Sequence, residues 1–272
     1  MQDPFENINN ACNAGTNAEK YQNVPDFPDL IDIELSGGLC NLKCPMCPVG
    51  RDELTRDRGF MSHDTFATII KEIRDIKTPV RLVRFGEPMM NPSFWSFIRV
   101  LESYDIPVHL DTNGTYFDDE DAAAANLYKI GSIKISIHED SSMVMRSVKR
   151  LELLTDTHTQ VSITTDESGI DIYNSAKVDK KTRLKTFWLG KEYPRPSCCS
   201  EVFNKLSINW DGTVSACCAD YDNLMLVGDI RTDSLKDIWN GPAMNGYREI
   251  IAQNRHWTLP LCRNCYDLSL DN

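Results

Sequence analysis

No run in this chain approaches the roughly 18 consecutive apolar residues that a membrane-spanning helix needs. The opening stretch, MQDPFENINNACNAGTNAEKYQ, has neither the basic n-region nor the apolar h-region of a secretory signal, so a cytoplasmic protein is expected. Positive charge is also short. Lys and Arg number 29 against 40 Asp and Glu, for a net charge of −11 and a pI near 4.9. Phosphate backbones are gripped mainly by Lys and Arg, so nucleic-acid binding is not expected, and the acidity reads as a solubility device.

Cysteine, by contrast, is abundant: ten in 272 residues. In a reducing cytosol that number points to metal ligands rather than disulfides. The length suits one large domain, or one medium domain with an appendage. The 41% of apolar residues is enough for a sizeable core.

From residue 30 the pattern alternates. LIDIEL (30–35), VRLVRF (80–85), PVHLDT (107–112), SIKISI (132–137), QVSITT (160–165) and LKTFWL (184–189) read as strands. Between them, 62–76, 91–104, 118–130 and about 141–154 read as helices, with Ser62 or His63 as a cap and Pro92 in a first turn. Such alternation implies a parallel sheet with right-handed crossovers. Six units predict an α/β fold, a partial (β/α)6 TIM-like barrel spanning 29–194, preceded by a flexible arm over 1–28. After about 195 the pattern changes to a hairpin, KLSINWDGTVSACC, turning at Asp211-Gly212, and then short helices. Residues 195–272 therefore read as a small C-terminal α+β module, and it holds six of the ten cysteines.

In α/β folds chemistry gathers beyond the carboxyl ends of the strands. There stands SGGLCNLKCPMCPVG, with Cys40, Cys44 and Cys47 at C-x3-C-x2-C spacing. A structural zinc site takes four ligands, and no nearby Cys or His supplies the fourth; His63 lies 16 residues on, inside a predicted helix. A cubane [4Fe–4S] cluster on three thiolates leaves one iron open to a small molecule.

With its place after a strand, this motif resembles the signature of the radical S-adenosylmethionine enzymes, with Met46 in the variable apolar position. RFGEP (84–88) resembles their GGE motif, with Phe85 in place of the first glycine, and DTNGT (111–115) their TNG stretch. The resemblance implies S-adenosylmethionine chelated to the open iron. It implies Gly86, Glu87, Asn113, Ser136 and Arg146 around that cofactor, and reductive cleavage to a 5′-deoxyadenosyl radical that takes hydrogen from a substrate. His138 faces the same mouth but reads as structural.

In the tail, Cys199, Gly212, Cys217 and the Cys262-x2-Cys265 pair resemble the SPASM and twitch extensions of that family. The resemblance implies one auxiliary [4Fe–4S] cluster on Cys199, Cys217, Cys262 and Cys265, hence two clusters in all. Cys198 and Cys218 are alternative registers, a zinc ribbon is the rival reading of the tail, and Cys12 reads as a free thiol. The layout suggests a dehydrogenase-like oxidoreductase acting on a small polar molecule of sugar or aminocyclitol type, with flavodoxin or ferredoxin as electron donor. Asp220 is the candidate for taking the substrate proton. A maturase acting on a ribosomally made peptide, and a non-catalytic iron–sulfur protein, are the competing readings.

Overall fold

The computed structural model describes residues 16–44, 47–116, 118–137, 158–163, 183–186, 199 and 201–263. The expected helix at 141–154, and Cys12, Met46, His138, Arg146, Cys198 and Cys265, lie outside the described residues.

Strands β1 (Leu30–Ile33), β4 (Val80–Leu82), β5 (Val108–Thr112), β6 (Ser132–Ile137), β7 (His158–Ile163) and β8 (Arg183–Thr186) pair in parallel in that order. This is the expected α/β architecture, a mainly parallel central sheet consistent with a partial TIM-like barrel. A short ribbon, β2 (Ser36–Gly37) with β3 (Gly59–Phe60), closes the base of the loop carrying the cysteine motif.

The helices form where the apolar spacing predicted them. In α2 (His63–Ile73), Ser62 caps the first turn by accepting from Thr65 N, and Phe66, Ile69, Ile70 and Ile73 form one buried stripe. In α3 (Phe94–Ser103), Phe94, Phe97, Ile98 and Leu101 do the same. The stripes meet where Phe66 and Phe97 stack at 4.2 Å. Helix α4 (Asp119–Leu127) completes this set. No helix among the described residues is long and apolar enough to cross a membrane.

Alternation along the strands separates two chemistries. Ile31, Ile33, Val80, Leu82, Val108, Leu110 and Ile133 belong to the apolar core. The opposite face carries Asp32, Glu34, Arg81, His109, Asp111 and Lys134, so the sheet is polar on its inner side.

The tail does not stand apart from this sheet. After α5 (Glu201–Asn204), β9 (Lys205–Ile208) pairs in parallel with β1 on the edge away from β4. Strand β10 (Thr213–Ser215) folds back on β9 after the expected turn, where Gly212 takes φ +93, and β11 (Leu226–Asp229) follows. The result is one nine-stranded sheet among the described residues. Helices α6 (Leu235–Asn240), α7 (Pro242–Ala252) and α8 (Pro260–Arg263) follow.

The arm expected to be flexible is folded from residue 16 onward. Helix α1 (Asn17–Gln22) opens with a capping box between Thr16 and Glu19 and packs on α7. Trp239 Nε1 donates to Pro25 O at 2.8 Å and Asn240 Nδ2 to Asp26 O at 3.1 Å. Asn17 is 3% exposed, and its Oδ1 accepts from Cys199 N at 2.8 Å. Asn17→Ala leaves that amide without its acceptor. The expected loss is about 1–3 kcal/mol, read as a lower denaturation midpoint at unchanged m-value.

Candidate functional site

The cysteine loop leaves β1 at the carboxyl-end side of the sheet. Cys44 O accepts from Cys47 N, and Cys47 O from Arg51 N, both at 3.0 Å, so a helix-like turn sets Cys44 and Cys47 about one turn apart. Cys40, Cys44 and Cys47 are each partly buried, and none is in a disulfide with another described cysteine. Cys40 Sγ accepts from Leu42 N at 3.4 Å and from Asn113 Nδ2 at 3.7 Å. Burial pushes the Cys40 thiol up against these two donors, and the charges of Glu87 and Cys47 add to the rise. A partly buried thiol site of this kind suits thiolate bound to a cation, because metal charge offsets what burial penalises.

The turn after β4 locks this loop from the side. Gly38 N donates to Phe85 O at 2.6 Å and Glu87 N to Leu39 O at 2.9 Å. Gly86 sits between them at φ +145, and a Cβ there would lie 1.7 Å from Ser36 O. Only glycine tolerates that approach. Phe85, where the resembling motif has glycine, turns its ring edge-on to Tyr221 of the tail at 5.9 Å.

Glu87 is 2% exposed. Its Oε1 accepts from Thr112 Oγ1 at 2.7 Å and Met89 N at 3.1 Å, and its Oε2 from Asn113 N at 2.8 Å. Burial pushes this carboxyl up, and the donors hold it back. Glu87 thus joins the turn after β4 to the end of β5. Asn113 continues the chain of contacts through Asn41, whose Oδ1 accepts at 3.0 Å, while Asn41 Nδ2 donates to Thr115 Oγ1 at 2.9 Å. Cys40, Gly86, Glu87 and Asn113 are therefore brought together. Ser136 stands near the end of β6, on the same face as Lys134, two residues before it.

No local motif marks what holds the far side of the cysteine loop. Glu34, 1% exposed at its side chain, receives Arg56 Nη1 at 2.8 Å and Nη2 at 2.5 Å. Glu34 also accepts from Phe85 N and Trp210 N, and Arg56 Nε donates to Tyr221 O at 2.7 Å. Gly37 and Gly59 lie flat on the Trp210 ring, with no room for a side chain on either. These contacts pair residues remote in sequence, so no local motif announces them.

In the tail, Cys199, Cys217 and Cys262 gather. The charge of Cys262 bears on Cys199, and that of Cys199 on Cys217; both Cys199 and Cys217 are pushed up. Burial leads at Cys199, and the hydrogen bond to Cys218 leads at Cys217. Cys218 bridges from Cys217 to a second group: its sulfur lies within 4.8 Å of carboxylate oxygens of Asp32 and Glu201. That trio is already neutralised by cations. Arg81 grips Asp32 through two bonds of 2.6 and 2.7 Å, and Lys205 meets Glu201 at 2.7 Å.

Asp220 is fully buried. Its carboxylate accepts from Ser215 Oγ at 2.7 Å, Leu224 N at 2.8 Å and Met225 N at 2.9 Å, and so shapes the turn beyond Cys217. With its oxygens committed to three donors and its side chain buried from solvent, Asp220 is a turn-former and not the expected proton acceptor.

Comparison with known proteins identifies this arrangement. The sequence matches the radical SAM superfamily over residues 35–156 and the SPASM iron–sulfur cluster-binding domain over residues 198–266. The chain is a radical SAM enzyme. It carries a SPASM domain behind the catalytic one, and its cofactors are S-adenosylmethionine and [4Fe–4S] clusters. It is 19% identical over 246 residues to the S-adenosyl-L-methionine-dependent 2-deoxy-scyllo-inosamine dehydrogenase of Niallia circulans, covering 89% of this chain and 94% of that one. It is 29% identical over 114 residues to the AdoMet-dependent heme synthase of Methanosarcina barkeri, covering 42% and 32%. Among solved structures, BtrN in complex with AdoMet and 2-DOIA superposes with a TM-score of 0.67 at 17% identity, over 90% of this chain and 96% of that one. AnSMEcpe with bound AdoMet and a Kp18Cys peptide gives 0.61 at 15%, over 89% and 92%. The two groups of thiols described above fit such clusters in chemistry.

The Gly86 contact yields a paired test. Gly86→Ala should cost about 2–4 kcal/mol through strain and collision with the Ser36 carbonyl. Gly246→Ala, inside α7 where a Cβ meets nothing within 4 Å, should gain about 0.5–1 kcal/mol. Urea midpoints of the two variants measured side by side check both signs.

Proposed function

We propose that this chain oxidises a small polar metabolite, of sugar or aminocyclitol type, by radical S-adenosylmethionine chemistry. In this reading residues 29–194 form the catalytic unit. Cys40, Cys44 and Cys47 hold the cluster that binds S-adenosylmethionine, and Met46, Gly86, Glu87, Asn113, Ser136 and Arg146 surround that cofactor. Residues 195–272 form the SPASM-type module of the shorter, twitch kind, with Cys199, Cys217, Cys262 and Cys265 on one auxiliary [4Fe–4S] cluster. The observation that carries the reading is the loop of three partly buried cysteines at the carboxyl-end side of the sheet, clamped to the Gly86 turn and bonded through Cys40 to Asn113.

When bound, the reduced cluster and S-adenosylmethionine supply a hydrogen-abstracting radical. The chain's own residues supply the setting. Gly86 lets the backbone come close, and Glu87 fixes the turn while keeping lone-pair capacity on Oε2 for a cation such as the cofactor's ammonium. The polar inner face of the sheet favours a polar substrate, and the similarity to a dehydrogenase over most of both chains supports net oxidation. Cys217 rather than Cys218 is favoured as ligand, because Cys218 lies with Asp32 and Glu201. A cytoplasmic setting with flavodoxin or ferredoxin as reductant completes the reading. The second reading, a peptide maturase, is supported by structural likeness to SuiB of Streptococcus suis bound to its precursor peptide SuiA, at a TM-score of 0.53.

Anaerobic reconstitution should give about eight irons per chain, from two four-iron clusters. Changing Cys40, Cys44 and Cys47 together to Ala should halve the iron and abolish 5′-deoxyadenosine formation. A triple variant that still cleaves S-adenosylmethionine would falsify the assignment. Replacing Cys262 and Cys265 by Ala should leave cofactor cleavage but collapse the yield of oxidised product. Product and 5′-deoxyadenosine quantified in the same reaction separate that outcome from loss of the fold.

A further inference from the structure

We propose that Asp111 and Lys134 are the pair that recognises the substrate, and that the substrate is a small molecule carrying neighbouring hydroxyl groups or an adjacent hydroxyl and amine. This rests on the reading that the inner mouth of the sheet is the active site.

The two residues are register partners on β5 and β6. Both face the polar inner side, opposite the fully buried Leu110 and Ile133. Asp111 directly precedes Thr112 and Asn113, which hold Glu87 and Cys40. Lys134 lies two residues before Ser136 on the same strand. The pair therefore sits one step inside the turn proposed for the cofactor.

Its neighbours on this face are closed ion pairs. Asp32 and Arg81 share two short bonds, Glu34 and Arg56 two more, and Glu201 meets Lys205 at 2.7 Å. Asp111 and Lys134 are different. Lys134 Nζ stands 3.7 Å from Asp111 Oδ1, beyond hydrogen-bond reach, and its side chain is 30% exposed. The other contact of Asp111, from His109 Nε2 at 3.4 Å, also falls on Oδ1, so Oδ2 is left for a ligand. The ammonium makes no hydrogen bond among the described residues. Among the described residues, an open acceptor and open donors thus lie side by side at the mouth.

The surroundings fix which is which. His109, Lys134 and Arg81 hold the Asp111 carboxyl well below the usual range against the opposing effect of burial, so it remains an acceptor only. Lys134 offers donors only. A lone hydroxyl can bridge the two, but a ligand with a donor and an acceptor on adjacent atoms gives the carboxylate and the ammonium a partner each. A vicinal diol or amino alcohol does so. A simple carboxylate brings acceptors alone, and a hydrocarbon brings neither. The pair accordingly selects among substrates by hydrogen-bond matching, where an unmatched polar group is heavily penalised.

The test is calorimetric titration of the anaerobically reconstituted full chain, with S-adenosylmethionine present. The probes are 2-deoxy-scyllo-inosamine, myo-inositol and cyclohexanol. Wild type should bind the first two at least ~10-fold more tightly than the third. Lys134→Met should weaken binding of both by ~10-fold or more, and Lys134→Arg, which keeps donors and charge, should fall between. Iron content and melting curves verify the fold, and Lys134→Gln is measured beside them in case the Met variant is unstable. Equal binding of the polyols by wild type and the Lys134 variants overturns the recognition pair and leaves the oxidoreductase reading standing. Failure of wild type to bind either polyol overturns the pair together with the metabolite-type substrate, while 5′-deoxyadenosine formation still reports whether the radical chemistry holds.

Discussion

A buried carboxylate–guanidinium pair, Glu34 with Arg56, is the contact on which the site's geometry depends. Glu34 continues β1, and Arg56 lies in the loop beyond the cysteine motif. Glu34 also accepts from the amides of Phe85 and Trp210, and Arg56 donates to the Tyr221 carbonyl. Asp222 adds bonds to the amide and hydroxyl of Thr55. Four stretches of chain therefore meet on one ion pair: the end of β1, the cysteine loop, the turn after β4 and the tail. Removing one partner would strand a buried charge, at a cost of about 3–5 kcal/mol. Its value here is geometric, since it holds the segments that carry the chemistry in one arrangement.

From that hub the order spreads in both directions. Toward β5, Glu87 spends its burial on three hydrogen bonds that align the Gly86 turn with Thr112 and Asn113. Asn113 then reaches Cys40. Toward the tail, Trp210 lies under Gly37 and Gly59, so the ribbon at the base of the cysteine loop rests on the C-terminal module. The cysteine loop is thus gripped from both sides. Burial of polar groups is expensive unless they are matched, and along this route nearly every one is matched.

The fold was legible where periodicity speaks. Apolar stripes placed α2 and α3, and alternation with helices placed the parallel strands and their order. The Gly86 turn and the Asn113 turn were legible as local motifs, because a turn is written in adjacent residues. The rest depended on contacts that no window contains. Helix α1 is short and polar, and what fixes it is a bond from Asn17 to Cys199 and two backbone carbonyls held by Trp239 and Asn240. The reading of 1–28 as a flexible arm missed this for that reason. Asp220 looked like an available carboxylate beside a cysteine, yet a turn folding back on it consumed its oxygens. Asp111 and Lys134 were in plain sight, in DTNG and SIKIS. Their polar alternation within buried strands was the signal that could have marked the inner face.

The parallel pairing of β9 with β1 has a consequence for how this protein can be divided. Sequence suggests a cut near residue 195, giving a catalytic unit and a small appendage. In the structure that cut would strip the partner from β1 and leave Ile31, Asp32 and Ile33 as an exposed edge. It would also uncover the glycine faces that now rest on Trp210. An unprotected edge beside the central strand is a template for association with other chains. The tail is therefore the lateral seal of the sheet, and the catalytic unit is not excisable as a well-behaved monomer along the boundary that the sequence draws.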